Sequence, residues 1–129
     1  MTKLLFEKES YAIIGSCMKV HNELGAGFLE SVYHEALEKE LYENDVPFRS
    51  KEKLQLFYKD SPMNKFFVAD FICFDKIILE IKASSFIHKS SDAQVINYLK
   101  STNKKLGLLV NFGETSLNWK RFINTNPRN

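Results

Sequence analysis

The chain has 129 residues, 44% of them hydrophobic and 26% charged, which places it with ordinary globular domains and excludes a disordered chain. Eighteen Lys and Arg against sixteen Asp and Glu leave a net charge of +2, which excludes a histone-like or polybasic mode of nucleic-acid binding but not a local basic groove. Eleven Phe supply the apolar bulk for one core, so a single domain over residues 1–129 is expected.

From about Leu4 to Leu24, apolar residues recur at helical spacing through Tyr11, Ile14, Cys17 or Met18, His21 and Leu24, predicting a first helix. Gly25-Ala26-Gly27 ends it, because glycine accepts the left-handed conformation of a C-terminal cap. A second helix is expected from about Leu29 to Asn44, with Leu29, Val32, Tyr33, Ala36, Leu37 and Leu41 on one stripe and Asn44-Asp45-Val46-Pro47 as its stop. The period then changes to two: Leu54, Leu56 and Tyr58 alternate with Lys53, Gln55 and Phe57, which predicts a half-buried strand. Asp60-Ser61-Pro62-Met63-Asn64 is turn chemistry.

Two apolar runs follow, Phe66 to Phe74 and Ile77 to Ala83, separated only by Asp75-Lys76 and read as an antiparallel pair near the sheet centre. A third helix is expected from Ser90-Ser91-Asp92, where Ser or Asp would cap it, to about Thr102. Leu106 to Phe112 predicts a buried strand and Trp119 to Ile123 a short last one. Pro47, Pro62 and Pro127 all fall where an element should end. The order is α-α-β-β-β-α-β-β, an α/β or α+β sandwich of helices against a mixed sheet.

Cys17 and Cys73 stand far apart among apolar neighbours. With no CxxC motif or Cys/His cluster, they read as buried free thiols of a reducing compartment and not as a zinc site. The opening MTKLLFEKESY is interrupted by charge too early for a signal peptide, and no apolar run approaches the ~20 residues of a membrane span. A cytoplasmic, soluble protein without membrane attachment is expected.

The informative residues are charges inside the two most apolar strands. Asp70 interrupts Phe66 to Phe74, and Glu80 and Lys82 interrupt Ile77 to Ala83. Buried unpaired charges are costly, so such groups need partners or a metal. Asp70 shares its expected face with Val68, Ile72 and Phe74, which argues against a wet surface. Glu80 and Lys82, two apart, project to the same face. Whether Asp70 joins them depends on the hairpin: a two-residue Asp75-Lys76 loop puts Asp70 and Glu80 on opposite faces. A three-residue loop at Phe74-Asp75-Lys76, or a bulge, puts Asp70 across from Glu80. Two carboxylates so placed repel, and a divalent cation reverses the sign.

Asp followed by Glu-x-Lys on the next strand resembles the pattern of the PD-(D/E)XK nuclease superfamily. Gly27-Phe28-Leu29-Glu30-Ser31-Val32-Tyr33 is similar to the signature of the GxxExxY protein family within it. The segments His21-Asn22-Glu23-Leu24-Gly25, Gln94 to Lys100 and Leu106 to Gly113, with Lys120-Arg121, resemble that family too, so the likeness runs from about Ser10 to Ile123. It implies a restriction-endonuclease-like αβββαβ core and a predicted metal-dependent nuclease acting on nucleic acid, DNA foremost.

On that resemblance Asp70 and Glu80 are metal ligands for Mg²⁺ or Mn²⁺, with the backbone carbonyl of Ile81 as a third donor. Lys82 would orient or deprotonate the attacking water, or neutralise charge on the phosphate. Glu30 would point into the same site as a ligand to the metal or its water; by spacing alone it is an ordinary helix-start glutamate. Gly27 would be a backbone requirement that lets the first two helices meet tightly, and Tyr33, more often core than catalytic, is a supporting residue. Gln94 and Tyr98, four apart on one helix face, resemble the Gln-xxx-Tyr motif of related exonuclease domains; Gln94 would bond a phosphate or a water on the metal, and Tyr98 would support it.

His21 and His34 are candidates to assist, although a lone histidine is more often structural, and His88, before the third helix and near Lys89, is a weaker candidate to touch phosphate. Lys51, Lys53, Lys100, Lys104, Lys105, Lys120 and Arg121 are candidates for a phosphate-tracking surface. With no zinc finger, helix-turn-helix or long basic arm, specificity would come from a homodimer or a protein partner. The alternative is a catalytically weak nucleic-acid-binding or scaffolding subunit with the same fold.

Overall fold

The computed structural model describes residues 4–125, so Pro127 lies outside the described residues. The elements run α1 (Glu7–Leu24), α2 (Glu30–Glu43), β1 (Phe48–Tyr58), β2 (Ser61–Cys73), β3 (Ile77–Lys82), α3 (Lys89–Thr102), β4 (Leu106–Asn111) and β5 (Asn118–Ile123), the expected order. The five strands form one mixed sheet in the order β1-β2-β3-β4-β5, with β3 and β4 parallel and the other pairs antiparallel.

Helices cover both faces of this sheet. Ile13, Cys17 and Val20 of α1 and Tyr33, Leu37 and Leu41 of α2 pack with Phe71, Leu79, Ile81, Leu108 and Val110. On the other face, Val95 and Leu99 of α3 pack with Ile72, Ile78 and Leu109. Covered on both sides, β3 and β4 read as near-continuous apolar runs, the usual consequence of a parallel pair between helices. Among the described residues no helix is long and apolar enough to cross a membrane. Cys17 and Cys73 are free and buried as expected, and burial pushes both thiols up, that of Cys73 to about 12.

Several local expectations are corrected. The buried stripe of α1 runs through Ile13, Ile14, Cys17, Val20 and His21, leaving Tyr11 at 83% exposure and Met18 partly exposed. Ile13, Cys17 and Val20 recur at helical spacing as well as Tyr11 does, and only packing decides between the two stripes. In α2, Leu29 and Val32 are exposed, and the buried stripe begins at Tyr33. Lys59 and Asp60 alone form the tight turn, so Ser61 to Asn64 already belong to β2. A register shift between Gln55 and Phe57 breaks the alternation and leaves Tyr58 exposed. No Ser or Asp side chain caps α3: His88 holds the N-cap position, and Asp92 pairs with Lys120 at 2.8 Å.

The parity of the β1–β2 hairpin also changes midway. Phe48, Phe71 and Cys73 pack toward α1 and α2, whereas Leu54, Phe67 and Ala69, of the same parity along their strands, pack toward α3. The switch occurs at the Lys51–Asp70 position, where Lys51 has φ 54 and pairing skips from Glu52↔Ala69 to Ser50↔Phe71. Counting by twos through Asp70 therefore fails: Ile72 packs under α3, Phe74 under α1 and α2, and Val68 is exposed.

Candidate active site

The loop between β2 and β3 sets the site. Cys73 pairs with Ile77, so the loop is the three residues Phe74-Asp75-Lys76, with Phe74 at φ 54 and Asp75 at φ 61. Neither residue is glycine, and left-handed conformations at such residues cost on the order of 1 kcal/mol or more each. Compensating bonds surround them: the Phe74 amide donates to the Pro47 carbonyl at 2.8 Å, and Arg49 pairs with Asp75 at 2.7 Å. The Arg49 guanidinium holds the Asp75 carboxyl below its usual range. The pairs Cys73↔Ile77, Ile72↔Ile78 and Phe71↔Leu79 then lead in step to Asp70 facing Glu80, as the odd-length loop requires.

The backbone ladder stops there and side chains replace it. The Asp70 amide donates to a Glu80 carboxylate oxygen at 2.7 Å, and the Ile81 amide donates to Asp70 Oδ2 at 2.9 Å. Glu80 is 8% exposed. Burial first, and the Asp70 charge second, push its carboxyl up to about 8, against the Asp70 amide bond and the Lys82 charge. Glu30, the first residue of α2, is likewise raised by partial burial and by Asp70, with Lys82 and Lys51 opposing. The fold thus brings Glu30, Asp70, Glu80 and Lys82 within electrostatic reach of one another.

The remaining expected residues divide. Tyr33 is buried, and its hydroxyl donates to the Gly25 carbonyl and accepts from the Phe28 amide at 3.2 Å, while its ring stacks on Phe112. It thereby spans the turn that presents Glu30. Gly27 is required by its φ of 111 and not by close helix packing, since a Cβ there would meet nothing within 4 Å. Tyr98 stacks on Phe67 with ring centroids 3.6 Å apart, fastening α3 to the hairpin. Gln94 is exposed, and among the described residues it shares no hydrogen bond with Asp70, Glu80, Glu30 or Lys82. His21 bonds the Glu114 carbonyl at 2.9 Å, and His34 bonds Ser50 at 2.6 Å and stacks on Phe71, both structural roles.

Two residues of the site carry weaker sequence signals. Lys51 places Nζ 3.8 Å from Asp70 Oδ1, although it reads in sequence as one surface lysine among several. Asn111, paired with Lys82 in the β3–β4 ladder and fully buried, accepts from the Ser84 amide at 3.1 Å and donates to the Ser84 carbonyl at 2.9 Å. It fixes the turn directly after Lys82. A polar residue ending the buried run Leu106 to Val110 is the signal that could have found it.

The oxygen donors suit a hard divalent cation. Lys82 turns its carbonyl to β4, where the Phe112 amide donates to it at 2.8 Å, so the neighbouring Ile81 carbonyl points toward β2 and Asp70. Two facing carboxylates and that carbonyl are the available set. Among the described residues no three His, Cys, Asp or Glu side chains converge as a metal site by themselves.

A family model for the PD-(D/E)XK nuclease superfamily matches residues 7–122. No curated protein and no solved structure is significantly similar to the chain.

Proposed function

Because the chain belongs to the PD-(D/E)XK nuclease superfamily, we propose that it is a divalent-metal-dependent nuclease hydrolysing nucleic-acid phosphodiester bonds, those of DNA foremost. The observation that carries this reading is the facing of Asp70 and Glu80 at a point where the strand ladder gives way. Two carboxylates brought together against their mutual repulsion favour a cation between them. Asp70, Glu80 and the Ile81 carbonyl would hold Mg²⁺ or Mn²⁺, with Glu30 a further donor, directly or through water. Such an ion activates water at neutral pH and offsets charge on the phosphoryl oxygens.

The rest is the work of the chain. Lys82 orients the attacking water or takes its proton, and its ammonium opposes negative charge gathering on the phosphate. The 2.9 Å bond from the Ile81 amide fixes the Asp70 carboxylate through Oδ2, leaving Oδ1 facing the Lys51 ammonium 3.8 Å away. Gln94, exposed on α3, is assigned to contact phosphate once substrate is bound. The likeness to the GxxExxY family supports placing Glu30 in this site through the Gly27, Glu30 and Tyr33 positions.

The test is hydrolysis of fluorescent single- and double-stranded DNA and RNA oligonucleotides with Mg²⁺, Mn²⁺ or EDTA. Metal-dependent cleavage by the wild type, lost in Asp70→Ala and Lys82→Ala, is expected. Equal traces of cleavage in all three would overturn the proposal. A scaffolding role is the second reading, favoured by the apolar face where Tyr11, Met18 and Trp119 line a cavity of about 540 Å³ beside the edge strand β5.

A further inference from the structure

We infer that the outer face of the β1–β2 arm is a track for single-stranded nucleic acid leading to Asp70; this rests on the nuclease reading for its chemistry but not for its binding. Beyond the parity switch, the arm turns Phe67 and Ala69 to α3 and leaves the opposite face open. Alternating with Phe67 and Ala69 along β2, that face carries Val68, 42% exposed, and Phe66, 50% exposed. The register sets Lys53 beside Val68 and Gln55 beside Phe66. Lys53 Nζ stands 4.7 Å from the Phe66 ring centroid, and Lys51 Nζ 3.8 Å from Asp70 Oδ1. Gln55 is tied down by its own bonds to the Leu56 and Met63 carbonyls, and Phe66 beside it stays half exposed.

These residues make a line: carboxylate, cation, aliphatic side chain, cation, then an aromatic ring about 13 Å from Asp70 at ~3.3 Å per strand residue. That is the chemistry of an unpaired strand, whose phosphates seek cations while its bases stack on exposed rings. A duplex hides its base faces and presents edges and phosphates, so it gains nothing from Phe66 and Val68. A second copy of the chain is disfavoured on the same face, because the lysines of one copy would meet those of the other.

The experiment measures binding in EDTA, where no cleavage occurs, by fluorescence anisotropy of a labelled single-stranded oligonucleotide and of its duplex. Phe66→Ala is expected to weaken single-strand binding about tenfold and Lys53→Gln by a smaller factor, with duplex binding unchanged in both. Phe66→Trp is expected to retain binding and to report it by fluorescence quenching, which separates loss of stacking from loss of fold. Single-strand binding that is absent in the wild type, or unchanged in Phe66→Ala, overturns the track. So does a wild-type dimer that Phe66→Ala converts to monomer. Single-strand binding that depends on Phe66, with no cleavage under any metal, upholds the track and overturns the nuclease reading instead.

Discussion

The Asp70 amide lies 2.7 Å from a Glu80 carboxylate oxygen, one step past Phe71↔Leu79, where the β2–β3 backbone pairing stops. The bond ties Glu80 down but cannot offset the cost of burying it beside a second carboxylate, and its carboxyl rises to about 8. A group whose folded value exceeds its unfolded one holds a proton in the native state that the unfolded chain has released. Metal-free stability is therefore expected to fall as pH rises from about 4.5 to about 8, by at most ~5 kcal/mol from this residue. Thermal melts in EDTA at pH 5, 6.5 and 8 measure it. Glu80→Gln should flatten the curve, and added Mg²⁺ should stabilise the wild type most at the alkaline end. A metal-free wild type that is equally stable at all three pH values would show that Glu80 stays ionised.

Tyr33→Phe separates support from chemistry. The substitution keeps the ring stacked on Phe112 and removes only the hydroxyl that spans Gly25 and Phe28. The net loss in stability is expected to be about 1 kcal/mol. Cleavage should fall by more than that loss explains, because the turn presenting Glu30 is loosened, and the fall should resemble that of Glu30→Gln. Melting and kcat measured on both variants decide it. Full activity in Tyr33→Phe would leave the hydroxyl a purely structural group.

Much of this arrangement is legible in the sequence because it follows from local periodicity. Runs such as Ile77 to Ile81 and Leu106 to Val110 declare buried strands by composition, and Gly25 and Pro47 mark real boundaries. The facing of Asp70 and Glu80 is legible only as a condition on loop length. Phe74 adopts a left-handed conformation that its residue type does not advertise, ahead of Asp75, whose type tolerates one. The parity switch at Lys51 is hidden for the same reason: a lysine at φ 54 is held by its neighbours on the sheet, not by its own preference. Stripes at equal helical spacing, as with Ile13 and Tyr11 on α1, are separable only once the sheet is in place.

Lys51 offers a test of that switch. Its left-handed conformation is strained for any side chain and worst for a β-branched one. Lys51→Gly is expected to stay within about 1 kcal/mol of wild type, relief of strain offsetting the added freedom of the unfolded chain. Lys51→Val should lose about 2 kcal/mol more. Both remove the ammonium 3.8 Å from Asp70, so both should weaken single-strand binding alike while their melting points differ. Equal melting points would show that the backbone at this position relaxes freely.

Asn111 and Gly113 hold the other side of the site. Asn111 accepts from the amides of Ser84 and Gly113, each at 3.1 Å, and its own amide group reaches the Ser84 carbonyl and Glu114. A Cβ at Gly113 would collide with the backbone of Ala83 and Ser84, so the two chain segments meet at a distance only glycine allows. Asn111→Leu keeps the volume and strands several buried polar groups, a cost of roughly 2–3 kcal/mol that should lower the melting point by about 10 °C. Gly113→Ala must instead push Ser84 away, and with it the end of β3 that carries Lys82. It is expected to reduce cleavage at least tenfold even where the protein is still fully folded, read by activity at 25 °C alongside circular dichroism. A folded, fully active Gly113→Ala protein would show that the turn after Lys82 moves without carrying the lysine with it.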